Sequence, residues 1–297
     1  RRQRQMCIRD KFDTPRRLIV IGDAHGDIAR MISALQAAKV LNEALEWVAQ
    51  PANTYVVQMG DQIDGKNRGD VAAWETVPDI AFLEFMDHID FLARSHGGRV
   101  FSLIGNHELM NIVGDFSYVS QESLASTGGE IERALRFSVG GQYANILSRR
   151  YIVLKLGRYL FCHAGLLPIH LNIVGENIQD INHVFWKMMS TGKLNTEREK
   201  TILSTVIASN DGVLWTRRYA DIAASDNKEA LDDTLYIVLK TTKTTTMFIG
   251  HNTVPSTTIV ARGSLIFTDA MFSRAYGSQK FQFIEVLDDM LRIVEVV

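Results

Sequence analysis

Residues 17–27 read RLIVIGDAHGD: an arginine, four branched aliphatic residues, a glycine, and then two acids and a histidine within five positions. An apolar run this short, closed by glycine, reads as a buried strand rather than a helix. Its polar residues then fall at the carboxyl end of the strand. The same pattern returns four times. Residues 54–59 lead into GDQID at 60–64, residues 100–104 into GNHE at 105–108, residues 159–162 into HAG at 163–165, and residues 246–249 into Gly250-His251.

Between the first three runs lie amphipathic segments, 28–47 and 78–96, the second with Pro78 at a plausible first helical position. Strands alternating with helices imply a parallel sheet whose strand ends share one edge, and sites gather at that edge. From 110 to 245 the chain reads as mainly helical apart from strands at 151–156 and 159–162. Helical spacing runs over 128–149, 176–189, 196–208 and 227–240, and the polar tract 241–246 reads as a loop. Beyond Gly250, strands at 257–261 and 265–268, then at 281–286 and 291–296, read as two hairpins.

Composition narrows the function classes. With 297 residues, 46% of them hydrophobic, the chain is long enough for a full core. Lys plus Arg number 32 against 34 Asp plus Glu, so no strong field gathers nucleic acid or an anionic membrane. No apolar stretch approaches the ~20 residues that span a bilayer. The two cysteines, Cys7 and Cys162, form no CxxC pair, which argues against a thiolate site or a disulfide framework. A cytoplasmic or other reducing intracellular compartment is the expectation. Because the chain begins with Arg1 and not Met, a targeting segment upstream stays compatible with it.

The five loops carry the ingredients of a two-metal site. A pair of hard divalent cations needs oxygen and imidazole ligands converging on one point, with one carboxylate able to bridge. Asp23 and His25 would bind one ion together, Asp61 would bridge, and Asn106, His163 and His251 would complete the second. Two such ions hold a water or hydroxide between them, lower its pKa and aim it in line at a phosphate. They do not protonate the departing oxygen. His107, next to Asn106, is the candidate general acid, and Asp64 would orient it and keep it protonated. Any one cluster alone would be an ordinary turn; five in order, each after a strand, are not. His88, His96, His170 and His183 lie outside the clusters and read as structural or surface residues.

The order GDAHG, GDQID, GNHE, HAG, GH resembles the phosphoprotein phosphatase branch of the metallophosphoesterase superfamily. GNHELMNIVGDFSYV at 105–119 and GVLWTRRY at 212–219 are similar to the Shewanella-like protein phosphatases. The resemblance covers roughly residues 17–276. It implies an α/β calcineurin-like fold, a central β-sandwich flanked by helices (αββα) with a dinuclear centre at the strand ends. It also implies manganese, iron or zinc as metals, and phosphoserine, phosphothreonine or phosphotyrosine in a phosphoprotein or phosphopeptide as substrate. On this view residues 15–297 form one catalytic domain with helical insertions at about 110–150 and 166–245, preceded by a flexible segment, 1–14.

The resemblance further assigns Arg217, with Asn106, to the substrate phosphate. Relatives usually carry Arg-Gly directly after GD-x-x-D, whereas Gly65 follows Asp64 here and the pair reappears at Arg68-Gly69. Arg68 is therefore the candidate for a displaced phosphate clamp. TDAM at 268–271 departs from the family's Asp-x-Gly-Met, leaving Asp269 as a residue that would support the site. Dinucleoside polyphosphate hydrolysis on the same metal core is the rival chemistry. An inactive phosphopeptide-binding module is the rival class.

Overall fold

The computed structural model describes residues 12–65, 79–225 and 227–297. Among them ten strands form two five-stranded sheets: β1 (Arg17–Ile21), β2 (Thr54–Gln58), β3 (Arg99–Ser102), β4 (Val153–Leu156), β5 (Tyr159–Cys162), β6 (Thr246–Ile249), β7 (Thr258–Val260), β8 (Leu265–Phe267), β9 (Phe281–Leu287) and β10 (Met290–Val296). The first sheet runs β10-β9-β1-β2-β3 and the second β4-β5-β6-β8-β7. β1, β2 and β3 are parallel, as the strand–helix alternation demanded. β5, β6 and β8 are also parallel. Both expected hairpins form, with β7 antiparallel to β8 and β9 antiparallel to β10.

Side-chain alternation divides the core into three layers. Leu18 and Val20 point between the sheets, against Phe161, Phe248, Ile266 and Ile284. Ile19 and Ile21 point outward and pack with Met31, Phe82 and Met86 of the helices Ile28–Ala37 and Ala81–Ser95. On the far side, Leu160, Cys162, Met247 and Ile249 pack with Phe185, Val206 and Leu235 from the helical stretch between β5 and β6. A strand covered on both faces can be apolar at every position, which is why β1 shows no alternation in sequence. The inter-sheet rings of Phe161 and Phe248 stack at 4.9 Å between centroids. Truncating either to alanine costs about 3–5 kcal/mol on general grounds.

Several helices differ from their expected bounds. The segment 28–47 is helical only over Ile28–Ala37. Asp27 caps its start by accepting the Arg30 amide at 3.1 Å, and Lys39, at φ 52°, turns the chain away. Val40, Leu41 and Trp47 remain buried in the irregular stretch that follows, so apolar spacing there imitates a longer helix. The segment 128–149 is two helices, Glu130–Phe137 and Gln142–Leu147, parted at Gly140-Gly141. Residues 196–208 form a short α-helix, Glu197–Thr201, running into a π-helical turn, Ile202–Ile207.

The helix Gln179–Thr191 answers to 176–189. The helix Lys228–Thr242 extends into the tract read as a loop from 241. Pro78 lies outside the described residues. Of the segment expected to be flexible, Phe12 is paired with Leu156 and the Thr14 hydroxyl accepts the Arg158 amide, so its last residues are fixed to the β4–β5 hairpin. Among the described residues no helix is long and apolar enough to cross a membrane.

Candidate metal centre

The carboxyl ends of β1, β2, β3, β5 and β6 deliver the five loops to one place. The Asp61 carbonyl accepts the amides of Ala24 at 3.0 Å and His25 at 2.9 Å, which joins the first loop to the second. Four of the candidate site residues adopt left-handed backbone: His25 (φ 44°), Asp61 (48°), Asp64 (66°) and His251 (60°). Such conformations are costly for non-glycine residues and persist where surrounding contacts over-determine them.

Glu108 supplies many of those contacts. Its buried carboxylate accepts three backbone amides, from Gly105 at 2.7 Å, Asp61 at 3.0 Å and Gln62 at 2.8 Å. Burial, and then the nearby Asp61 charge, push its carboxyl up to about 7 against the pull of those amides. Gly105 is required for contact reasons, because a Cβ there would strike the amide and carboxylate of Asp61. The GNHE motif thus places Asn106 and His107 on the first turn of the helix Asn106–Ile112 and clamps the neighbouring loop with its glutamate.

Two groups of ligand atoms lie within 4.8 Å of one another: His25, Asp61 and His107, and Asp61, His163 and His251. Asp61 belongs to both, the position expected of a bridging carboxylate. The hydrogen bonds fix the ring tautomers of the second group. His163 donates from Nδ1 to the Met59 carbonyl at 2.9 Å, and His251 donates from Nε2 to the Trp215 carbonyl at 3.1 Å. Their other ring nitrogens, Nε2 and Nδ1, each face Asn106 Oδ1 at 2.9 Å.

The first group contains His107 where the sequence reading has Asp23. Asp23 stands beside the second group: its Oδ2 accepts the His251 amide at 2.9 Å, and its buried Oδ1 has no hydrogen-bond partner among the described residues. Burial, followed by Asp269 and with a further push from Asp61, raises the Asp23 carboxyl well above its ordinary value.

These donors fit divalent cations. A buried, unpaired carboxylate oxygen, a shared aspartate and imidazole lone pairs converging on an amide oxygen call for positive charge at that point. Protonation of His163 answers the same call: burial opposes it, but Asp61 and Asp23 prevail and push His163 up to about 10. His251, buried and facing His163, is pushed down to about 3. Asp23, His25, Asp61, Asn106, His163 and His251 would hold the ions.

His107 sits beside these groups with its Nδ1 3.0 Å from Asp64 Oδ2 and its Nε2 3.8 Å from Asp61 Oδ2. Asp64 and His107, paired in the sequence reading, are thus brought into contact. The loops open into a cleft of about 660 Å³ lined also by Tyr118, Trp215, Arg217 and Tyr276. Arg217 and Arg218 both line the cleft and both are exposed; Arg217 donates to Asn252 Oδ1 at 3.3 Å, and Arg218 is forked to Asp211. Asp269 accepts the Thr253 hydroxyl at 2.7 Å and acts on Asp23 through its charge.

Arg68 lies outside the described residues. The sequence reading missed Glu108, Tyr276, whose hydroxyl is 3.2 Å from His25 Nε2, and Tyr118, whose ring meets His107 edge-on at 5.0 Å. For Glu108 the signal was present: it is the fourth residue of GNHE, three positions after the glycine whose amide it caps.

A family model for calcineurin-like phosphoesterases matches residues 16–260. The chain is a calcineurin-like metallophosphoesterase. This metallophosphoesterase is therefore a hydrolase, of a family that uses divalent metals. It is similar to an uncharacterized protein of Schizosaccharomyces pombe, 30% identical over 298 aligned residues that cover 97% of this chain and 82% of the relative. It is also similar to Shewanella-like protein phosphatase 1 of Plasmodium berghei, 25% identical over 288 residues covering 95% and 74%. Among solved structures, the cold-active protein-tyrosine phosphatase of a psychrophilic Shewanella shares the fold, with a TM-score of 0.77 at 18% identity over 97% of this chain and 81% of that one. The expected calcineurin-like αββα architecture and the resemblance to Shewanella-like phosphatases are both borne out.

Proposed function

We propose that this metallophosphoesterase is a dinuclear metal-dependent protein phosphatase, a phosphomonoesterase that removes phosphate from phosphoserine, phosphothreonine or phosphotyrosine in proteins. The observation that carries the chemistry is the placement of His107. Its Nδ1 is tied to Asp64, and its Nε2 lies 3.8 Å from the shared Asp61 on the cleft wall. The protein substrate is supported by the likeness to a Shewanella-like protein phosphatase.

Asp23, His25, Asp61, Asn106, His163 and His251 would hold divalent ions, which when bound would supply an activated water and polarise the phosphoryl oxygens. The chain's own groups do the rest. Arg217 and Asn106, both lining the cleft, grip the phosphate oxygens and orient the ester. His107 gives a proton from Nε2 to the departing alkoxide or phenoxide. Asp64, accepting from Nδ1, fixes the ring.

The deciding assay uses the full chain reconstituted with Mn²⁺ and offers phosphotyrosyl peptide, phosphothreonyl peptide and a dinucleoside tetraphosphate in parallel. Turnover of a phosphopeptide is the expected result. Turnover of the dinucleotide alone would overturn the protein-phosphatase reading. Phosphopeptide binding without turnover of any substrate would make the chain an inactive module.

A further inference from the structure

The guanidinium of Arg133 is fully buried (0% exposed), on the helix Glu130–Phe137. A buried guanidinium is expensive unless every donor is engaged. Here Nη1 and Nη2 fork onto Asp79 at 3.1 and 3.0 Å, Nε donates to Asn111 Oδ1 at 2.7 Å, and Nη2 also reaches Asp64 Oδ1 at 3.4 Å. Each of these partners holds Asp64 in turn. Asn111 Nδ2 donates to both Asp64 oxygens, at 3.0 and 2.8 Å, and Asp79 Oδ2 accepts the Asp64 amide at 3.0 Å. That last bond restrains a backbone at φ 66°, in the left-handed region.

We propose that Arg133 is a positioning residue for the reaction: through Asp79 and Asn111 it fixes the Asp64 carboxylate, and through Asp64 it fixes the ring of His107. This rests on the reading of His107 as general acid. Charge supports the geometry. Two buried carboxylates, Asp64 and Asp79, face one guanidinium. Burial pushes the Asp64 carboxyl above its ordinary value; His107 opposes this, Asp79 adds to it and Arg133 opposes it. Without Arg133, two carboxylates would share a dry pocket, and one would take a proton. A protonated Asp64 can no longer hold His107 as an ionised acceptor.

The test compares the Mn²⁺-loaded full chain with Arg133→Gln, Arg133→Lys and the double variant Arg133→Gln/Asp79→Asn, which removes both charges of the fork together. Phenyl phosphate and p-nitrophenyl phosphate share a ring but differ in the basicity of the leaving oxygen, so only the first leans strongly on an acid. Arg133→Gln and the double variant should lose kcat on phenyl phosphate by about 10- to 100-fold, and several-fold less on p-nitrophenyl phosphate, with KM and bound metal unchanged. In a His107→Asn background the same substitutions should change kcat less than about twofold, because the group they position is gone. Arg133→Lys, which keeps the charge without the fork, should fall between.

Equal losses on both esters, or losses that multiply with His107→Asn, would overturn the proposal and leave Arg133 a structural residue. Should the glutamine variants fail to fold, Arg133→Lys decides by the same two criteria. If His107→Asn itself shows no leaving-group discrimination, the acid assignment fails and Arg133's role fails with it.

Discussion

The backbone amide of His251 donates to Asp23 Oδ2 at 2.9 Å, which ties the last of the five loops to the first across the seam between the sheets. The residue between β6 and His251 makes this approach possible, because a Cβ on Gly250 would strike Asp23 Oδ1. Gly250→Ala should therefore push the two loops apart, lowering stability by about 1–3 kcal/mol as overpacking does and weakening retained metal. Urea unfolding and metal analysis of the purified variant would check it; unchanged stability with full metal content would contradict it.

Glu108 holds three backbone amides with one carboxylate. In Glu108→Gln the amide nitrogen must turn toward at least one of those donors, leaving it unpaired in a buried place. The expected cost is about 2–4 kcal/mol, with activity falling because Asp61 and Asn106 lose their alignment. Thermal unfolding together with kcat would report both; a stability change below about 0.5 kcal/mol would mean the loops are held by other contacts.

Arg217 and Arg218 line the same cleft but have different partners, Asn252 and Asp211, and substitution should separate them. Arg217→Ala should weaken inhibition by inorganic phosphate and lower kcat/KM by about 10- to 100-fold, the worth of one charge-assisted contact. Arg218→Ala should change either by less than about threefold, since an exposed ion pair with Asp211 contributes little. Equal effects would show that Arg217 is not the particular arginine that grips the phosphate.

His170 gives a pH dependence away from the metal centre. Its Nδ1 accepts the Leu167 amide at 3.0 Å and its Nε2 donates to the Asp211 carbonyl at 2.8 Å, an arrangement that needs the neutral ring. Burial lowers it to about 4 from its ordinary 6.5. In the window between these values the unfolded chain binds the proton and the native chain does not. The stability it contributes is therefore whole above the ordinary value and is lost as pH falls toward 4, up to about 3 kcal/mol. Urea titrations at several pH values should show a shallower slope through this window for His170→Gln than for the parent. Parallel slopes would exclude the effect.

The five loops were legible because each element speaks locally: an aliphatic run, a glycine, then groups useless to a core. The stacking of the two sheets carries no such local mark, and only the resemblance suggested it; the pairing of β9 with β1 was not read at all. Arg133 was illegible for a sharper reason. In a helix where Glu130, Glu132 and Arg136 are also charged, nothing in the string distinguishes the one guanidinium turned inward onto Asp79. The overlong helix at 28–47 failed differently, since Val40, Leu41 and Trp47 keep their burial after the backbone has left the helix. Asp64 and His107 were paired from sequence, but the layers of support behind them come from residues as distant as 69 positions along the chain.

The two sheets share the work of the centre. Asp23, His25, Asp61 and Asn106 issue from the first, His163 and His251 from the second, and between their strands lies the apolar layer of Leu18, Phe161 and Phe248. Ions bound across that seam would hold one half of the sandwich to the other. Linkage would then make resistance to heat and to protease depend on metal supply. Chelation would then lower the melting temperature as well as the activity of the metal-loaded chain.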